Sequence, residues 1–213
     1  GNPVTEGQLV ARLEQQDAIP GKPIKLTIDY DMQVAAEASL NGRKGAVVVL
    51  DPKTGDVLAM ASRPAYNPND FAVSISRDEW SQLNEDPDKP LLNRAIQAQL
   101  APGSVFKIIM ATAMLESKAI PENYTVFCPG YASFYGRTFH CWDKKGHGTV
   151  DLHKAIVHSC DVFFYNVGKE LGIDRISYYA TQLGLGAKTG IDLPSEETGF
   201  IPSEEWKQRV YHQ

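Results

Sequence analysis

The stretch "APGSVFK" holds the first residues whose types and spacing suggest chemistry. Ser104 follows Pro102-Gly103, a turn that can set it at a helix start, and Lys107 lies three residues on. On a helix that spacing puts both side chains on one face, a turn apart. A serine hydroxyl is a poor nucleophile until a base takes its proton. A lysine can be that base when burial and nearby positive groups lower its pKa. A helix N-terminus adds backbone N–H groups and positive partial charge where an oxyanion would form. Ser-x-x-Lys is short enough to arise by chance about once in a chain of this size. No other serine in the 213 residues has a lysine three positions on. The spacing therefore leaves two readings: acyl transfer through Ser104 with Lys107 as base, or a chance pair in an apolar helix, where the lysine would need a partner.

A second set is Cys128, Cys141, His147 and Cys160, which uses every cysteine in the chain. Three thiolates and one imidazole are a complete tetrahedral zinc shell. The spacings are longer than those of zinc ribbons. A Cys128–Cys141 disulfide competes, with Cys160 buried as a small apolar residue; an oxidising compartment would allow it. His140, His153, His158 and His212 read as surface or helix-terminal, although His140 or His158 could replace His147 as ligand.

The elements that must position these residues are partly legible. The chain is long enough for one large domain or two small ones. A net charge of −5 and the lack of a Lys/Arg-rich patch argue against nucleic acid as the main partner. No apolar run approaches the roughly 20 residues that cross a bilayer, and no signal-peptide pattern opens the chain. Residues 1–24 read as a short helix or coil and a linker. Asp29 can cap a helix whose Met32, Ala35, Ala36 and Leu40 share one face. "GAVVVLDPKTGDVLAMAS" predicts a hairpin over 45–61, its first strand apolar enough for burial on both faces. A short helix fits around Glu79 to Leu83. The helix after Ser104 is apolar on nearly every side from Val105 to Leu115, which predicts burial all round. Helices are expected over 151–158, 161–171 and 174–183. No other strong strand pair is visible.

Several blocks together resemble a known family. "LLNRAIQAQLAPGSVFK", preceded by "GAVVVLDPKTGDVLAMASRPAYNPNDF" and "LTIDYDMQ", is similar to the transpeptidase domain of class B penicillin-binding proteins. "GHGTVDLHKAIVHSCDVFFYNVGKELGID" and "GLGAKTGIDLPSEETGFIPSEEWK" resemble the rod-elongation type, penicillin-binding protein 2. The resemblance runs from about residue 25 to 206, with the blocks in the family's order.

It implies an α+β, β-lactamase/transpeptidase-like fold: an antiparallel sheet of about five strands flanked by helices. It divides the chain into the end of a pedestal region over 1–24 and part of a transpeptidase domain over 25–213, stopping before the C-terminal strands. The implied activity is peptidoglycan D,D-transpeptidation through an acylated Ser104, in cell-wall elongation and rod shape, with Lys107 as base. The same serine would be acylated by β-lactam antibiotics. Ser159-Cys160-Asp161 would be the second motif, with Ser159 relaying protons; Asp161 stands where Asn is common. An ionised Asp161 beside a lysine would oppose its work as a base, and the pair also fits an N-cap for the next helix. Some rod-type relatives carry a zinc at positions matching the Cys/His set, where Cys160 would let it brace Ser159. No organic cofactor is implied. The implied partners are stem peptides, a polytopic SEDS-type glycan polymerase and elongation-complex proteins. The implied place is the periplasmic face of the inner membrane, with an N-terminal anchor outside this sequence. Two other readings share the fold: a serine β-lactamase, and a non-catalytic β-lactam sensor or scaffold.

Lys188-Thr189-Gly190 imitates the family's third motif. The Gly-rich residues before it and Pro194 after it predict a loop rather than a strand. Lys188 is therefore left out of the expected site.

Overall fold

Asp29 ends an extended segment and starts the first helix. Its carboxylate accepts the Met32 amide at 2.9 Å, and α1 follows over Tyr30–Ser39. The computed structural model describes residues 20–72 and 74–211. Most of the expected leading linker, and His212, lie outside them. Ala36 and Leu40 pack on Ala59 and Ala61, with Val47 and Val49 beside them. Met32, expected on this buried face, is exposed.

The hairpin forms as its sequence predicts. β1 (Gly45–Leu50) pairs antiparallel with β2 (Val57–Arg63). Asp51 closes the turn by accepting the Lys53 amide at 2.7 Å. Burial of β1 differs from expectation: Val47 and Val49 point inward, whereas Val48 and Leu50 are exposed. The buried cluster with α1 forms on the Val47 and Val49 face, which leaves Val48 and Leu50 outside it.

Ser76 and Glu79 form a reciprocal capping box at the start of α2 (Arg77–Glu85). The short α3 (Arg94–Gln97) is tied to the hairpin, because Ser62 Oγ donates to the Leu92 carbonyl and accepts the Arg94 amide. A 3₁₀ turn over Gly103–Phe106 then leads into α4 (Lys107–Ser117).

The second half carries strands the sequence does not announce. β3 (Val126–Cys128) pairs with β6 (Gly148–Val150), and β4 (Tyr131–Phe134) with β5 (Arg137–His140), both antiparallel. Strands of three or four residues are too short to show alternation, so turn chemistry dominates their sequence. The described residues thus hold three two-stranded antiparallel sheets with helices around them, an α+β arrangement. Helices α5 (Leu152–Val157), α6 (Asp161–Leu171), α7 (Ile173–Gln182) and α8 (Glu204–Tyr211) complete it. Among the described residues, no helix is long and apolar enough to cross a membrane.

The larger core joins Met110, Ala113 and Met114 of α4 to Val162, Phe163, Val167 and Leu171 of α6. Phe163 is 0% exposed and meets Tyr124 edge-on at 5.9 Å. Burying such a ring stabilises by about 1.5–3 kcal/mol. Contrary to the sequence expectation, the α4 segment buries one face: Val105 is 70% and Ile108 62% exposed. An apolar composition marks what can be buried, and here α5, α6 and α7 provide cover on one side.

Candidate active site

Ser104 is presented by a bend rather than a regular helix. Gly103 has φ of +59°, a left-handed conformation that costs a glycine little, and the 3₁₀ turn leaves Ser104 exposed just ahead of α4. Lys107 opens α4, and its three N–H donors are all used. Nζ donates to the Ser159 carbonyl at 2.8 Å, Ser159 Oγ at 2.9 Å and Asp161 Oδ1 at 2.5 Å. Ser159 Oγ in turn donates to Ser104 Oγ at 3.1 Å. Ser104, Lys107, Ser159 and Asp161 therefore come together as the sequence expects. The hydrogen bonds between Ser104 and Lys107 run through Ser159, whereas spacing alone suggested a direct pair.

The segment between α5 and α6 sets Ser159. The Cys160 amide closes α5 on the Ala155 carbonyl at 2.9 Å, and Ser159 adopts φ of +50°. Asp161 does not cap α6 with its side chain; Cys160 occupies the N-cap position without a side-chain bond. Instead Asp161 Oδ2 accepts the Trp142 backbone N–H at 3.0 Å. The Trp142 indole Nε1–H donates to the His158 carbonyl at 2.8 Å. Trp142 is the site neighbour that sequence reasoning misses, since only its place after Cys141 could have pointed to it.

Cys128, Cys141, His147 and Cys160 also converge, with all four ligand atoms within 4.8 Å of one another. Close backbone contact makes this possible. A Cβ on Gly146 would lie 2.2 Å from the Cys128 carbonyl oxygen, so only glycine lets the 141–147 loop reach β3. His147 Nδ1 is 3.5 Å from Cys141 Sγ and 3.7 Å from Cys128 Sγ. A tetrahedral zinc with ordinary bond lengths needs a sulfur–nitrogen edge of about 3.6 Å, so the donor set fits that ion. The three cysteines are free and buried, with no Cys128–Cys141 disulfide. Burial raises the Cys128 thiol, but N–H groups of His147 and Gly130 and the two other thiols outweigh it and hold it below its ordinary value. Burial pushes Cys160 up to about 12. His147 Nε2 is buried without a hydrogen-bond partner. His158 stacks on His147 at 5.8 Å and, like His140, is not in the cluster.

Residues 45–212 match the family model for the penicillin binding protein transpeptidase domain. The chain belongs to this family. It is 41% identical to peptidoglycan D,D-transpeptidase MrdA of Acinetobacter baumannii over 95% of its own length and 30% of that protein's. It is 40% identical to MrdA of Escherichia coli K12 over 96% of its length and 33% of that protein's. The chain thus spans about a third of these relatives. Among solved structures, it is similar to PBP2 of Pseudomonas aeruginosa in complex with WCK 5153, with a TM-score of 0.85 and 41% identity over 94% of this chain and 44% of that one. PBP2 of Helicobacter pylori in complex with MreC gives 0.83 and 39%, over 87% and 35%. Penicillin-binding protein A of M. tuberculosis, as an imipenem acyl-enzyme complex, gives 0.71 and 31%, over 83% and 44%. These neighbours carry the β-lactamase/transpeptidase fold that the sequence resemblance implies.

Within this transpeptidase domain, Lys188-Thr189-Gly190 lies in a loop without strand structure. Thr189 donates its amide and hydroxyl to Glu196 at 2.8 and 2.6 Å, which holds the Glu196 carboxyl below its ordinary value. The loop is fastened to α3 through the Glu197 amide and the Ile96 carbonyl.

Proposed function

We propose that this chain supplies the nucleophile and second motif of a peptidoglycan D,D-transpeptidase of the rod-elongation type. The observation that carries the reading is the continuous hydrogen-bonded set Ser104, Ser159, Lys107 and Asp161 at the start of α4. Ser104 Oγ attacks the carbonyl carbon of the penultimate D-alanine of a stem peptide. Its proton passes along Ser159 Oγ to the free-amine form of Lys107. As the C–N bond breaks, the proton returns to the amine of the departing D-alanine. The positive end of α4 favours the negative charge that develops on the carbonyl oxygen. An amine of a neighbouring stem peptide then opens the acyl-serine, and its proton restores the Ser104 hydroxyl. β-Lactam antibiotics acylate the same serine, a reading supported by the acyl-enzyme form of the M. tuberculosis relative.

Cys128, Cys141, His147 and Cys160 would hold a structural zinc. When bound, it supplies cross-linking of β3, the 141–147 loop and the start of α6, not reaction chemistry. Cys160 lies between Ser159 and Asp161, and Cys141 beside Trp142, so the cluster braces the second motif. The enzyme would work at the periplasmic face of the inner membrane with elongation-complex proteins and a glycan polymerase. The PBP2–MreC complex of H. pylori supports that setting.

Exchange of the terminal residue tests the reading. The full-length enzyme is given a stem pentapeptide and a labelled D-amino acid. A transpeptidase releases D-alanine and incorporates the label, and Ser104→Ala abolishes both. Rapid penicillin hydrolysis without exchange would point to a β-lactamase, and neither reaction in a folded protein to a sensor or scaffold; either result overturns the proposal.

A further inference from the structure

The conformation of Ser159 needs restraint. Its φ of +50° lies in the left-handed region, where a side chain's Cβ crowds the following carbonyl. Such backbone persists only where its surroundings over-determine it. The two peptide planes flanking Ser159 define its φ and ψ, and each plane has its carbonyl held. After Ser159, its own carbonyl accepts from Lys107 Nζ at 2.8 Å. Before Ser159, the His158 carbonyl accepts from the Trp142 indole Nε1–H at 2.8 Å. Together these bonds set the direction in which Ser159 Cβ leaves the chain, and hence where Oγ sits between Ser104 and Lys107. The amides of Ser159 and Cys160 lie in the same two planes and close onto the Ile156 and Ala155 carbonyls of α5, so the indole bond of Trp142 is a second hold on the plane before Ser159.

Trp142 also holds Asp161, through its backbone N–H and Oδ2 at 3.0 Å. One residue therefore grips the chain just before Ser159 and two residues after it. Burial does not account for the indole, which is 65% exposed and meets the His147 ring at 5.4 Å. An indole N–H is a donor only, so its one bond fixes the ring's orientation against the His158 carbonyl.

We propose that Trp142 is a positioning residue whose indole N–H, through the His158–Ser159 peptide, keeps Ser159 Oγ in the proton path between Ser104 and Lys107. The inference rests on the reading of Ser104 as the acylated nucleophile. It makes Trp142 a determinant of the acylation rate rather than of ligand affinity.

Two replacements in the full-length enzyme test this. Trp142→Phe removes the N–H and part of the ring. Incorporation of β-(3-benzothienyl)alanine at position 142 keeps the bicyclic shape and puts sulfur in place of the N–H. Acylation by a fluorescent penicillin is followed across concentrations, which separates the first-order acylation constant from the binding constant. Loss of one hydrogen bond should slow acylation by about tenfold in both variants. For the isostere, the binding constant and the unfolding temperature should match wild type. An isostere that acylates at the wild-type rate overturns the proposal. So does a loss confined to the binding constant, which would make Trp142 a ligand contact. The wild type is the control for the underlying reading: without labelling there, the acyl-transfer assignment fails and this inference with it. A labelled wild type beside an unslowed isostere refutes the role of Trp142 alone.

Discussion

Replacing Asp161 by alanine isolates the ion pair at the centre of the site. The Lys107 side chain is 12% exposed and that of Asp161 22%. Water therefore cannot solvate a stranded ammonium there as it would on an open surface. Breaking a fully buried pair by removing one partner costs about 3–5 kcal/mol. Partial exposure lowers the expectation here to roughly 2–3 kcal/mol, including the Trp142 N–H bond that is lost. Asp161→Asn keeps one acceptor oxygen without the charge and should lose about 1–2 kcal/mol. The assay is urea unfolding of wild type, Asp161→Ala, Lys107→Ala and the double variant. Removing the lysine as well removes the stranded charge. The loss in the double variant should therefore fall short of the sum of the single losses by about 1–3 kcal/mol. Strictly additive losses would refute the argument that the two groups depend on each other.

Three further outcomes are expected. Metal analysis of purified protein should find near one zinc per chain, and Cys128→Ser should abolish it; absence of zinc, with only one free thiol after denaturation, would favour the disulfide instead. Lys188→Ala should leave penicillin acylation of Ser104 unchanged, because its loop is fastened to Glu196 and α3 rather than built as a strand; a loss above tenfold would return Lys188 to the site. The Glu79 carboxyl is held below its ordinary 4.5 by bonds from the Ser76 hydroxyl and amide. Its folded pKa is depressed, so the cap's contribution is complete above the unfolded value and fades as pH falls through the folded one. An NMR titration should place the Glu79 midpoint below 4.5 and raise it in Ser76→Ala, and an unshifted midpoint in wild type would contradict the cap.

What the sequence made legible follows from how local each signal is. Asp29 as a helix cap, the Asp51 turn and the helix over 161–171 are set by residues within a few positions of one another, and the structure agrees with each. The short strands β3 to β6 depend on partners across the fold, and their three or four residues leave no alternation to read. Burial was overestimated at Val48, Val105 and Ile108 because hydropathy reports what a residue favours, not whether a neighbour covers it. In the site, Ser104 and Lys107 could be read from spacing, and Ser159 and Asp161 from family resemblance. Trp142 could not, because one of its bonds uses a backbone N–H that every residue but proline carries, reaching Asp161 across 19 positions. The cysteine cluster was legible as a donor set, whereas its closeness depends on Gly146 admitting one loop against another.

The central claim is that Ser104 is the residue that becomes acylated. Intact-mass analysis of the full-length enzyme after brief exposure to benzylpenicillin, followed by peptide mapping, tests it most directly. One penicilloyl group per molecule is expected, carried by the peptide that contains Ser104 and absent from Ser104→Ala. An adduct on Ser159 or any other residue, or none on a folded enzyme, would contradict it.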